Sequence, residues 1–197
     1  MPIAPTGRKH IITIAGMPAS GKSTTARLLA EGLNYRHYST GALFREIASS
    51  NQMDVLHANL DAEKNAAIDF QVDEHQKKLG ETQTNFVIDG RLAWHFIPQS
   101  FKVYLGLDTA VGARRVLADM DEARRQREDV PKDPAEYAKL LDARLESESR
   151  RYRKLYGVDG HDPHNFDLFL DTSDRTPEQI KEVIITEYRN WMTTGTH

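Results

Sequence analysis

Short apolar runs alternate with longer amphipathic stretches along the whole chain. The clearest run is Ile11-Ile12-Thr13-Ile14-Ala15, which is β-branched and apolar at nearly every position, as a strand buried on both faces requires. Similar runs predict further strands at 86–88, 103–107 and 166–170, and a weaker pattern predicts a fifth strand at 35–38. The uninterrupted apolar character of these runs favours a parallel sheet covered on both sides.

Amphipathic stretches predict helices between these strands, at 22–32, 42–50, 60–80, 109–128, 134–156 and 177–192. Alternation of strand and helix favours an α/β fold of three layers, with a mainly parallel five-stranded sheet and helices on both faces. Because no repeat or linker-like segment divides the 197 residues, we expect a single domain over 1–197. Apolar spacing within the longest predicted helix places its buried stripe at Tyr137, Leu140, Leu141 and Leu145.

Composition and charge narrow the classes of protein to consider. Hydrophobic residues make up 39% and charged residues 28%, which is ordinary for a soluble globular protein. A formal net charge of −3 gives no reason to expect a nucleic acid or a membrane surface as partner. The absence of cysteine excludes a disulfide framework, and no apolar run is long enough for a membrane span or signal peptide. We therefore expect a cytoplasmic, monomeric enzyme.

The sequence Gly16-Met17-Pro18-Ala19-Ser20-Gly21-Lys22-Ser23 matches G-x-x-x-x-G-K-[ST] and lies between a predicted strand and a predicted helix, the context of a P-loop. Its glycines let successive N–H groups surround phosphate oxygens, and the helix dipole adds to that field. Lys22 is expected to reach the β- and γ-phosphates, and Ser23 to bind magnesium. The predicted ATP site comprises Gly16, Met17, Pro18, Ala19, Ser20, Gly21, Lys22, Ser23 and Thr24.

Asp89 directly follows the predicted strand at 86–88. In a P-loop sheet, the strand next to the first one ends in an acid near the magnesium ion. We expect Asp89 and Ser23 to hold the Mg²⁺ that accompanies ATP, either directly or through a metal-bound water. Asp89-Gly90 is also a strong turn pair, and the two roles are compatible.

Two arginines follow two different predicted strands. Arg45 comes after Ser39-Thr40-Gly41, and Arg91 comes after Asp89-Gly90. Guanidinium groups bind phosphate bidentately, so this placement predicts a second phosphate site and hence an acceptor that already contains phosphate. The guanine-binding sequence Asn-Lys-x-Asp of switch GTPases does not occur, which disfavours that class.

Three charged residues share one face of the helix predicted at 134–156. Arg144, Glu148 and Arg151 follow the spacing i, i+4, i+7. We interpret them as part of a mobile lid that closes arginines over the triphosphate, with a salt-bridged surface helix as the alternative. For Arg124, Arg125 and Arg127, the surface interpretation is preferred.

Several stretches together are more specific than the P-loop alone. They include Asp89-Gly90-Arg91-Leu92-Ala93 and the pattern Ser-x-x-x-Arg-Tyr-x-x-x-Tyr within 144–159; the others are 12–30, 39–46 and 166–178. With these stretches the chain resembles the cytidylate kinases, and most of all the short archaeal-type (d)CMP kinases, over nearly its whole length.

The resemblance implies a nucleotide-kinase fold with an acceptor-binding region at about 39–84 and a lid at about 118–160. It implies transfer of the γ-phosphate from Mg²⁺-bound ATP to CMP or dCMP. The implied catalytic residues are Lys22, Arg91, Arg144 and Arg151. The candidate acceptor site comprises Ser39, Thr40, Arg45, Asp69, Asp73, Arg91 and Glu148. Asp69 and Asp73 could accept a hydrogen bond from an exocyclic amino group, or could simply solvate a surface helix.

Two regions of the sequence depart from that family's pattern. Phe70 and Glu74 stand where the family tends to have basic residues, which predicts a weakened pyrimidine preference with UMP tolerated. Leu117 stands where similar kinases often have an adenine-clamping arginine, a role open to Arg114 or Arg115.

Two other functions are compatible with the P-loop. They are a P-loop kinase for another nucleotide or small metabolite, and a regulatory P-loop NTPase. His161 and His164 are expected to be exposed loop histidines rather than metal ligands, and Trp94 and Trp191 to be packing anchors.

Overall fold

The computed structural model describes residues 8–50, 62–122 and 130–194, with the backbone alone at 48–50 and 62–68. In chain order the elements are β1 (Ile11–Gly16), α1 (Lys22–Leu33), β2 (Arg36–Ser39), α2 (Thr40–Ser50), α3 (Ala62–Thr82), β3 (Phe86–Asp89), α4 (Ala93–Phe96), β4 (Phe101–Gly106), α5 (Thr109–Asp119), α6 (Pro134–Tyr156), a 3₁₀ turn (Pro163–Asn165), β5 (Leu168–Asp171) and α7 (Pro177–Thr193).

The five strands form one parallel sheet in the order β2-β3-β1-β4-β5. Every residue of the central strand β1 is buried, which explains why its sequence is apolar without alternation. The register pairs Ile14 with Asp89 and Asp89 with Ser39. The ends of β1, β3 and β2 therefore meet at one edge, and this edge positions the candidate site. The five-stranded α/β prediction is confirmed.

Helices cover both faces of this sheet. On one face, α1 and α7 pack Leu29 and Ile184 against Ile12 and Ile14 of β1. On the other, α3 contributes Leu79 and α4 contributes Ala93 to a cluster with Ile11 of β1. Burying each such side chain stabilises the fold by about 1.5–3 kcal/mol relative to exposure. The alternation predicted from the sequence thus yields three layers.

Local sequence signals set the ends of the two longest C-terminal helices. Asp133 caps α6 by accepting hydrogen bonds from the N–H groups of Ala135 and Glu136, and Gly157 ends that helix at φ 72°. Thr176 and Gln179 form a capping box at the start of α7. These caps explain why the predicted boundaries at 134, 156 and 177 agree with the structure.

Three details differ from the sequence predictions. The helix predicted at 109–128 ends at Asp119, because Met120 adopts an extended conformation; 123–129, with Arg124, Arg125 and Arg127, lies outside the described residues. The four-residue helix α4 is too short to produce a detectable period. Leu140 is half exposed, and the buried residues of α6 are Leu141, Glu148 and Tyr152.

Trp94 is buried beside Tyr104 in the core, and Trp191 packs on the α1–α7 side, in agreement with the predicted packing role of both tryptophans. Within the described ranges, no helix combines the length and apolar character needed to cross a membrane.

Candidate active site

The loop between β1 and α1 is held tightly against β4. Gly16 has φ 146°, and a Cβ at this position would lie 2.3 Å from the carbonyl oxygen of Leu105. The N–H of Met17 donates to that same oxygen over 3.0 Å. Gly21, at φ 82°, forms the N-terminal boundary of α1. Both glycines of the motif are therefore required by the backbone path.

Lys22 folds over this loop. Its Nζ donates hydrogen bonds to the carbonyl oxygens of Gly16 and Met17, at 2.9 Å and 2.7 Å. Burial, and after it the positive charge of Arg91, lower the pKa of Lys22 to about 8, while the negative charge of Asp89 opposes the shift. A lysine with few water contacts and a second cation nearby is well placed to stabilise an anion.

Asp89 accepts hydrogen bonds from three side chains and is nearly buried. Ser23 Oγ donates to Asp89 Oδ2 over 2.8 Å, and Ser39 Oγ lies 3.4 Å from the same oxygen. His37 Nε2 is 2.8 Å from Asp89 Oδ1. The predicted pair Ser23–Asp89 is thus brought together. His37 was not predicted as a site residue, although it lies two residues before Ser39 on the same strand and hence on the same face.

Thr40 packs against the turn that follows Asp89. Thr40 Oγ1 donates to the main-chain oxygen of Asp89 over 2.6 Å. A Cβ added to Gly90 would lie 1.9 Å from Thr40 Oγ1. The absence of a side chain at Gly90 therefore lets α2 approach β3 and fixes Asp89 beside Ser23.

We expect Gly90→Ala to lose about 1–3 kcal/mol of stability, because the methyl group overlaps Thr40. The measurement is the free energy of unfolding in urea. The matched control is Gly32→Ala in α1, where a Cβ meets only Ile185 and Lys181 at ordinary contact distance. That control should be neutral or stabilising by up to about 1 kcal/mol. Equal effects of the two substitutions would contradict the overlap with Thr40.

A cavity of about 440 Å³ opens beside these residues. It is lined by residues from the P-loop, from α2, α3 and α6, and from the segment after β3: Lys22, Ser23, Ser39, Thr40, Gly41, Phe44, Arg45, Asp69, Val72, Asp73, Gln76, Asp89, Gly90, Arg91, Leu92, Arg144, Arg151, Tyr152 and Tyr156. Most of the predicted site residues therefore face one space. The rest of the P-loop and Thr24 lie outside this lining, and Glu148 lies behind it.

Glu148 holds two of the arginines that line the cavity. Its Oε1 lies 2.9 Å from Arg91 Nη1 and 3.0 Å from Arg144 Nε, and the residue is 8% exposed. A buried carboxylate with two guanidinium partners is well compensated, whereas the removal of both partners would leave an isolated charge. Glu148 thus fixes the position of Arg91 and Arg144 at the edge of the cavity.

The acidic residues of α3 also face the cavity. Asp69 Oδ2 lies 4.0 Å from Arg151 Nη1, and Tyr156 OH donates to Asp73 Oδ2 over 2.8 Å. Burial raises the pKa of both carboxyls, and that of Asp73 reaches about 6 despite the hydrogen bond from Tyr156. Both carboxylates therefore face the cavity and contact α6, which disfavours the alternative in which they merely solvate a surface helix.

We expect the stability of Asp73→Asn relative to the wild type to increase as the pH rises from about 4.5 to 7.5. The folded-state pKa lies above the usual 3.8, so the stability that Asp73 contributes is present below that value and lost as the pH rises through about 6. Because Asp73 is only partly buried, we expect about 1 kcal/mol, or about 2–4 °C in Tm.

The measurement is Tm of both proteins at each pH. A matched control is Glu74→Gln, since Glu74 is an exposed carboxylate on the same helix. A difference between Asp73→Asn and the wild type that does not change with pH would contradict the raised pKa of Asp73.

Phe70 and Glu74 point away from the cavity. Phe70 is 64% exposed, and Glu74 pairs with Lys77 on the outer face of α3. Neither residue belongs to the described lining of the cavity. The loss of basic residues at these two positions is therefore no reason to expect a weakened pyrimidine preference. The two candidates for an adenine-clamping arginine differ in their contacts. Arg115 Nη2 donates to the carbonyl oxygens of Thr172 and Ser173, directly after β5, whereas Arg114 is exposed on α5.

His161 corrects another expectation. It is partly buried instead of exposed, and its Nδ1 lies 2.8 Å from Tyr104 OH. This burial lowers the pKa of His161. His164 is exposed and pairs with Asp162. Across the part of the chain that the structure describes, no group of three or more His, Asp or Glu side chains could hold a metal ion.

The fold matches that of several solved structures. An uncharacterized protein from Eubacterium ventriosum is 20% identical with a TM-score of 0.65, covering 91% of this chain and 98% of that one. A shikimate kinase from Aquifex aeolicus is 21% identical with a TM-score of 0.59, covering 94% and 99%. At these identities the similarity concerns the fold alone.

Sequence relatives are closer. A cytidylate kinase of Methanobrevibacter smithii is 33% identical over 176 residues, covering 89% of this chain and 96% of the relative. A cytidylate kinase of Methanocaldococcus jannaschii is 33% identical over 181 residues, covering 91% and 98%. Residues 11–174 match the family model described as the cytidylate kinase-like family. With the P-loop, the arginine-lined cavity and these relatives in agreement, the chain belongs to the cytidylate kinase-like family.

Proposed function

We propose that this chain is a nucleoside monophosphate kinase that transfers the γ-phosphoryl group of ATP to CMP or dCMP. The observation that supports this most directly is the shared cavity. P-loop residues Lys22 and Ser23 line it together with arginines from three other parts of the chain. A site with cations on several sides suits a reaction between two phosphate-bearing substrates. The names of the archaeal relatives support CMP as the acceptor.

On the donor side, the backbone of Gly16–Ser23 and the N-terminus of α1 would surround the β- and γ-phosphates of ATP. Lys22 would move from the carbonyl oxygens that it contacts to the γ-phosphate. The pKa of Lys22 is lowered because its ammonium group is buried from water and lies near the positively charged Arg91. The negatively charged oxygens of a bound phosphate would stabilise both cations.

Ser23 and Asp89 have the chemistry that Mg²⁺ requires. Both offer oxygen atoms, which lie together at the edge of the cavity, and Mg²⁺ in kinases is held by few protein oxygens together with water and phosphate. Ser23 and Asp89 would hold the ion, directly or through water, and the ion would neutralise charge on the phosphates. His37 accompanies Asp89 and would keep its carboxylate oriented.

On the acceptor side, Arg45 and Arg91 would bind the phosphate of the nucleoside monophosphate, with Ser39 and Thr40 nearby. An oxygen of that phosphate is already anionic at neutral pH, so the attack on the γ-phosphorus needs no general base. Arg144 and Arg151 on α6 would add positive charge as the transfer proceeds, while Glu148 positions Arg144. Closure of α6 over the substrates would exclude water as a competing nucleophile.

The test is an ADP-release assay with CMP, dCMP, UMP, AMP and GMP as acceptors. We expect the highest kcat/KM with CMP and dCMP, and ADP release at least about 100-fold slower without an acceptor. Highest activity with AMP or with a non-nucleotide acceptor would replace the proposed substrate. ADP release independent of any acceptor would instead indicate a regulatory NTPase, an alternative that family membership does not favour.

A further inference from the structure

Helix α3 presents one continuous face to the cavity. Asp69, Val72, Asp73 and Gln76 line it and follow helical spacing, so they lie on adjacent turns of one side. Gln76 is the most deeply placed, with only 3% of its surface exposed. A glutamine so completely buried is unusual, because its amide must then find hydrogen-bond partners inside the protein.

Gln76 differs from its acidic neighbours in having an unpaired oxygen. Asp69 has Arg151 nearby, and Asp73 accepts a hydrogen bond from Tyr156. The side-chain oxygen of Gln76 is buried and has no hydrogen-bond partner among the described residues. An unpaired buried amide in the wall of a binding cavity is typical of a group that a ligand satisfies.

The surroundings of Gln76 suit a flat, partly polar ring. Phe44, Val72, Leu92 and the tyrosines of α6 line the same cavity and offer apolar surface. Arg91 lies close enough to Lys22 of the P-loop for its charge to act on that lysine, whereas Gln76 lies on α3. A nucleotide with its phosphate on Arg91 would therefore extend its base toward this helix.

We propose that Gln76 binds the hydrogen-bonding edge of the pyrimidine base of the acceptor, a role that rests on the proposed function. Its carbonyl oxygen would accept from the exocyclic amino group of cytosine, and its amide nitrogen would donate to the adjacent ring nitrogen. Rotation about the Cγ–Cδ bond exchanges the oxygen and nitrogen of the amide. Gln76 therefore also fits uracil, whose donor and acceptor positions are reversed.

Because the Gln76 amide can both donate and accept, Gln76 and Asp73 would have different roles in binding the base. A carboxylate only accepts hydrogen bonds, so ionised Asp73, one turn before Gln76, favours the amino group of cytosine over the carbonyl oxygen of uracil. Gln76 contributes affinity for either pyrimidine, whereas Asp73 contributes the preference for cytosine. A purine amino group would be displaced from Gln76 by the larger ring system.

Two substitutions test this role. Gln76→Met preserves size and removes both hydrogen-bonding groups; we expect KM for CMP to rise about 10-fold to 100-fold, while kcat and KM for ATP change less than about 2-fold. Gln76→Glu keeps the acceptor and removes the donor; we expect kcat/KM for CMP and for UMP each to fall about 10-fold, since the ring nitrogen of cytosine and the carbonyl oxygen of uracil both then lack a donor. The matched control is Gln71→Glu, an exposed glutamine on the same helix, which should leave both values unchanged.

The outcomes separate this inference from the proposed function. If the wild type phosphorylates CMP, but Gln76→Glu leaves kcat/KM for both CMP and UMP within about 2-fold of the wild type, the role of Gln76 is overturned and the function stands. If the wild type phosphorylates no pyrimidine nucleotide, both fail. A purely structural role for Gln76 would lower Tm and kcat/KM for all acceptors equally. That result from folded Gln76→Met would likewise overturn the inference.

Discussion

Replacement of Lys22 by alanine should lower kcat about 1,000-fold while leaving the protein folded. Loss of one preorganised charged contact to the transferring group is worth roughly 3–4 kcal/mol in the transition state. Lys22 contributes little to folding, because its Nζ donates to the carbonyl oxygens of Gly16 and Met17 in its own loop and repels nearby Arg91. Alanine also favours the first turn of α1. The measurements are kcat with saturating CMP and ATP, and Tm.

Lys78→Ala is the matched control for Lys22→Ala. Lys78 lies on the exposed side of α3, so its removal changes the net charge by the same amount far from the cavity. We expect kcat of this control to stay within about 2-fold of the wild type. A folded Lys22→Ala protein with nearly unchanged kcat would contradict the assignment of the donor site.

Arg91→Lys should raise KM for CMP about 30-fold to 100-fold and change KM for ATP less than about 3-fold. Lysine keeps the charge but loses the planar pair of donors, and a hydrogen bond to a charged group is worth about 1.5–3 kcal/mol. The shorter reach of the ammonium group also disturbs the contact with Glu148. Arg45→Lys should act in the same direction, because Arg45 lines the same cavity.

The control for the arginine substitutions is Arg27→Lys on α1. Arg27 pairs with Glu31 at the exposed surface, so we expect neither KM to change. Binding of CMP and of ATP should be measured separately by calorimetry as a second readout. Equal weakening of both nucleotides by Arg91→Lys would contradict the separate acceptor role.

Those parts of the structure that depend on local chemistry could be predicted from the sequence. The P-loop backbone follows from Gly16 and Gly21, and the helix ends follow from caps such as Asp133 and Gly157. The meeting of Ser23 with Asp89 could also be predicted, since ends of neighbouring parallel strands share an edge.

Other features depend on contacts between distant segments and leave little local signal. Periodicity placed Leu140 in the core, yet Glu148 is buried there because Arg91, after β3, supplies its counter-charge. His37 lies in a strand of weak pattern, and its importance comes from Asp89 on the neighbouring strand. The packing of α3 against the rest of the fold determines which of its side chains face the cavity. Gln76 lines the cavity, whereas Phe70 and Glu74 do not.

The contact of Glu148 with Arg91 and Arg144 also bears on how quickly the site can be emptied. A cluster of guanidinium groups without an internal anion would retain any phosphate that entered, including that of the product. We expect Glu148 to compete with phosphate for the same two side chains, so that each departing nucleotide would be replaced by a carboxylate that is already in place. Glu148 would then limit product inhibition, and we expect its replacement by a neutral side chain to give an enzyme that binds nucleotides more tightly and turns over more slowly.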